Sequence, residues 1–86
     1  MDKKPLIAAP SQRMCDLAAR ELTLGRGQYK CVTRAVHLRG VAPDRKIYRV
    51  IDQHNRPLDR WDQNRDWREI RIELVRLFEN VQLVRI

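Results

Sequence analysis

A small α+β domain, folded as a two-layer sandwich in the order α-β-β-β-α, is the fold class this sequence predicts. Three observations predict it: an apolar stripe at helical spacing near the C-terminus, a β-branched and aromatic middle without such a stripe, and a capped amphipathic stretch near the N-terminus. The 86 residues give room for one domain, 1–86, whose first ten residues are expected to be a flexible lead-in. A hydrophobic fraction of 43% with only three glycines and four prolines excludes a disordered tail.

The first helix is expected from Ser11 to Gly25. Ser11 follows Pro10 as an N-cap, Met14, Leu17, Ala18 and Leu22 recur on one helical face, and Gly25 supplies a stop. Residues 28–39, QYKCVTRAVHLR, read as a strand in which Tyr29, Cys31 and Ala35 face the core while Lys30 and Arg34 point outward. The GVAPD segment breaks the pattern and residues 46–52 resume it, which predicts a hairpin. After a polar turn at 53–56, PLDRW at 57–61 is expected to return as a short edge strand, because Pro57 cannot donate to a ladder.

Asp66 with Glu69 three residues on has the capping-box arrangement and opens the long helix. Trp67, Ile70, Leu74, Leu77, Phe78 and Val81 form its apolar stripe, with Arg68, Glu69, Glu73, Arg76 and Glu79 mostly opposite. Residues 82–86 could extend the helix or form a last strand; alternation of Val, Leu and Ile with polar residues favours the strand.

Charge is distributed unevenly. Residues 26–49 carry Arg26, Lys30, Arg34, Arg39, Arg45, Lys46 and Arg49 against Asp44 alone, and so hold six of the net seven positive charges. Fourteen of the eighteen bases are arginine, whose planar fork suits phosphate and stacks on bases. Such a local excess attracts polyanions, and the expected contacts are these seven bases with Tyr48 and Trp61 as stacking platforms.

Catalytic signatures are missing. His37 and His54 have no ligand-spaced partner, Cys15 and Cys31 are too far apart in sequence for a zinc pair, and Asp59, Asp62 and Asp66 match no calcium loop. No enzyme activity, cofactor or metal is expected, and the cysteines are read as reduced structural thiols, with one disulfide between them as the alternative. Without an apolar run near the roughly 20 residues of a membrane span, or a signal-peptide core, the expected location is cytoplasmic.

The predicted element order is similar to that of double-stranded RNA-binding domains, but the last helix opens DWREIR where that family carries a glycine-serine-lysine-lysine cluster. Residues 28–79 also look like the arm-binding domains of phage integrases in order of elements, without a shared motif, so no family is assigned. Two functions remain open: a non-enzymatic nucleic-acid-binding domain using the basic hairpin, or a phage-type or mobile-element-type inhibitor docking that face on an acidic protein. Homodimerisation through a strand edge is a further expectation.

Overall fold

The computed structural model describes residues 4–51 and 65–86, and among these it shows a small α+β fold with two helices and a four-stranded parallel sheet. In chain order the elements are β1 (Leu6–Ala8), α1 (Gln12–Glu21), β2 (Lys30–Val32), a single 3-10 turn (Ala35–Leu38), β3 (Ile47–Ile51), α2 (Arg65–Leu77) and β4 (Gln82–Arg85). The last strand is the one that the alternation at 82–86 predicts.

Order and layering depart from the expected sandwich in three ways. Residues 6–8 are not a lead-in but a central strand, buried throughout. The hairpin does not form: β2 and β3 both pair with β1, in parallel, so the sheet order is β2-β1-β3-β4. Helices also cover both faces, making three layers where two were expected. These corrections share one cause. An apolar Leu-Ile-Ala strand can bury both its side-chain faces and both its edges only from the middle of a covered sheet, and parallel sheets are covered on both faces. The expected turn at 53–56 and strand at 57–61 lie outside the described residues.

Alternation along β1 divides the core. Leu6 and Ala8 face α2 with Val32, Leu38, Ile47, Trp67, Ile70, Leu74 and Phe78, whereas Ile7 and Ala9 face α1 with Cys15, Ala18, Ala19, Tyr48, Val50 and Val84. On β2 both side-chain parities are therefore used: Cys31 packs toward α1, while Val32, which shares the parity of Lys30, is buried under α2.

Ser11 caps α1 as expected, its hydroxyl accepting from the Met14 amide at 3.3 Å. The buried stripe is Cys15, Ala18 and Ala19, and Leu17 is exposed. Its end differs from the glycine stop expected at Gly25. The chain turns at Thr23, which takes φ 56, with Leu24 N donating to Ala19 O at 2.8 Å and Thr23 N to Arg20 O at 3.1 Å, the bond pair of a Schellman cap. In α2, Trp67, Ile70, Leu74 and then Phe78 are buried as the stripe predicts, but Leu77 is exposed.

Candidate nucleic-acid interface

Parallel pairing brings the starts of strands to one end of the sheet. Leu6 is level with Lys30 on one side and with Ile47 on the other, so Lys4, Lys30, Arg45 and Lys46 from three separate segments meet at the amino-terminal rim. The main-chain bonds Lys30 N to Pro5 O and Leu6 N to Lys46 O, each 3.0 Å, hold these starts together. Arg45 braces the rim by donating from Nε and Nη2 to the Lys4 carbonyl at 3.1 and 2.7 Å. Arg26, in the connection from α1 to β2, extends the same end, which it shares with the acids Asp44 and Glu79.

Beside the rim, Arg20, Arg26 and Lys30 line a cleft of about 760 Å³ between α1 and β2. Across it the Tyr29 hydroxyl donates to Asp16 Oδ1 at 2.6 Å. That bond lowers the Asp16 pKa and, with Asp16 as the main cause, raises that of Tyr29 to about 12. Deeper in, Cys15 Sγ–H donates to Ile7 O at 3.3 Å and Cys31 accepts from Gln12 Nε2 at 2.9 Å; both thiols are free, and burial pushes that of Cys15 up.

The other expected contacts lie elsewhere. Arg34 precedes the 3-10 turn and Arg39 follows it, the latter beside Glu69 and Glu73 of α2. Tyr48 is only 9% exposed, packed in the α1-side core with Lys46 Nζ 5.4 Å from its ring centre; a ring buried in this way has no face for a base, which corrects its expected stacking role. Trp61 lies outside the described residues. The seven bases of 26–49 thus do not share one hairpin face, because the hairpin itself is absent.

Arg49 belongs to a second cluster absent from the sequence-based expectation. It points to the α2 side of β3 and lines a shallow groove with Arg68, Arg71 and Arg76 and the aliphatic Ile72 and Val75. Its guanidinium lies 5.9 Å from the Trp67 ring centre, and its Nε is buried without a hydrogen bond. Desolvation, and then the nearby charge of Arg71, lowers its pKa. The signal for this cluster was the helical spacing of Arg68, Arg71 and Val75, masked by the zero net charge of the 50–86 segment.

Among the described residues no three His, Cys, Asp or Glu side chains are grouped to hold a metal, and no helix is long and apolar enough to cross a membrane. Compared with known proteins, the chain matches no family model, no curated protein and no solved structure at a significant level.

Proposed function

We propose that the protein is a small, non-enzymatic nucleic-acid-binding domain that holds phosphates on the amino-terminal rim of its sheet. The observation that carries this reading is the convergence of Lys4, Lys30, Arg45 and Lys46, with Arg26, from sequence-distant segments onto one end of a rigid sheet. Strand starts pinned by main-chain bonds keep the backbone origins of these side chains in a fixed spacing, which lowers the entropy lost on engaging a backbone of regularly spaced charges. Phosphate contacts of this kind give affinity and register without reading sequence. The retained core of the expectation is polyanion binding by bases of the 26–49 segment; the surface is the rim in place of a hairpin face.

The test is affinity for short duplex DNA, duplex RNA and single strands across a salt series, using protein freed of co-purifying nucleic acid. With five rim cations engaged, log K against log salt should fall with a slope of about −4 to −5 for duplex DNA. Lys30→Glu combined with Lys46→Glu should reduce that slope by about 2 and weaken binding to every sequence alike. Absence of binding at low salt, or unchanged binding by the folded double variant, would overturn the assignment.

A further inference from the structure

The groove around Arg49 differs from the rim in what surrounds its charge. On the α2 face of the sheet one row runs Val32, Ala8, Arg49, Leu83 across β2, β1, β3 and β4. Val32 and Ala8 are covered by the helix, Arg49 is half-buried at its margin, and Leu83 is 61% exposed. α2 turns Ile72, 59% exposed, and Val75, 82% exposed, toward the groove that Arg49, Arg68, Arg71 and Arg76 line. Leu83 extends the aliphatic surface next to Arg49.

We propose that this surface is the docking site for an acidic amphipathic segment of a partner protein, its carboxylates meeting Arg49 and Arg68 and its apolar side chains covering Ile72, Val75 and Leu83. Charge complementarity argues for that occupant: among the described residues four arginines and no carboxylate line the groove, although Glu73 accepts from Arg76 Nη1 at 3.1 Å at its border. Arg49 is already partly desolvated, so a carboxylate there regains interaction energy without the full cost of dehydrating the arginine. Aliphatic side chains interleaved with arginine are the composition of a protein–protein interface core, which is depleted of lysine. A nucleic-acid backbone would leave Ile72, Val75 and Leu83 without apolar partners. A second copy of this chain would set arginine against arginine across a two-fold axis, in molecules that each carry net charge +7.

The experiment uses the full chain, isotope-labelled, with a synthetic amphipathic helical peptide bearing leucines on one face and glutamates beside them. A scrambled peptide of equal composition and charge is the control. The amphipathic peptide should bind at least about tenfold more tightly than the scrambled one, with amide shifts centred on Arg49, Ile72, Val75 and Leu83. Arg68→Glu with Val75→Asp, both at exposed positions, should weaken it by about tenfold or more while the thermal unfolding midpoint and duplex DNA affinity stay unchanged. Absence of binding, equal binding of both peptides, or shifts centred on the rim would overturn the proposal. So would shifts at Arg49, Ile72 and Val75 produced by duplex DNA, or a concentration-dependent dimer that Val75→Asp dissolves.

Discussion

The amino-terminal rim and the flank of α2 carry charge of the same sign, but their neighbours differ. At the rim, Lys4, Lys30 and Lys46 are exposed bases on strand starts, with polar backbone between them. On the flank, Arg49 is half-buried beside Trp67, with Ile72 and Val75 closing the groove. Exposed cations are screened within about 10 Å at 0.1 M salt, whereas a partly buried one is screened much less. The contrast teaches that counting bases locates attraction for anions without revealing which anion; the apolar content around each base is what distinguishes the proposed phosphate surface from the proposed carboxylate surface.

The largest expected effect breaks the flank and spares the design of the rim. Trp67 is buried in the core between α2 and the sheet, with the Arg49 guanidinium 5.9 Å from its ring centre, so Trp67→Ala should cost about 3–5 kcal/mol of stability in urea unfolding. Trp67→Phe, which keeps an aromatic ring in the same cavity, should recover a large share of that loss. If Trp67→Ala left the unfolding midpoint in place, the packing of α2 on the sheet would be wrong.

Next in size is the reversal that separates the two surfaces functionally. Lys30→Glu with Lys46→Glu should lower duplex affinity by about a hundredfold at low salt, and the loss should shrink as salt rises. Binding of the acidic amphipathic peptide should be nearly unaffected in the same variant. Equal losses for both probes would mean that the molecule has one diffuse positive field instead of two distinct sites.

Much of the periodic part of this architecture was legible from residue order. Trp67, Ile70, Leu74 and Phe78 announce α2 because a helix repeats its buried face locally, and Ser11 announces the start of α1 because capping is decided within three residues. β1 was not legible, since three apolar residues have no period and their partners lie more than twenty residues away. Missing it turned β2 and β3 into a false hairpin. The flank was hidden for a related reason: Arg49 and Arg71 meet only through tertiary packing, while the seven acids of residues 50–86 balance that segment's seven bases.

A smaller effect is expected in the connection that leads from α1 toward Arg26. Thr23 holds φ 56, where a β-branched side chain is strained and glycine is not. Thr23→Gly should therefore stabilise the fold by roughly 1 kcal/mol, net of the added freedom of the unfolded chain. Duplex affinity should not change, because the cap redirects the chain without contributing charge. A lower urea midpoint for Thr23→Gly would show that the Thr23 hydroxyl, which donates to Leu22 O at 2.7 Å, outweighs the backbone strain.

The smallest effect concerns the hydrogen bond that spans the cleft next to the rim. Asp16 accepts from the Tyr29 hydroxyl, which lowers the pKa of the acid and raises that of the phenol to about 12. For the lowered carboxyl, the stabilisation is present above its unfolded value of 3.8 and is lost as pH falls through the folded value. For the raised phenol the sign reverses: the contribution is complete below its unfolded value of 10.0 and is lost as pH rises through about 12. Both groups face solvent, so water screens the pair and the stability change should be slight, leaving the titration itself as the sensitive readout. An ultraviolet titration of a Tyr48→Phe background isolates Tyr29, and adding Asp16→Asn should bring its midpoint down from about 12 toward 10. An unmoved midpoint would mean that the bond does not form in solution, and that Arg20, Arg26 and Lys30 share this cleft with an Asp16 free to compete for incoming anions.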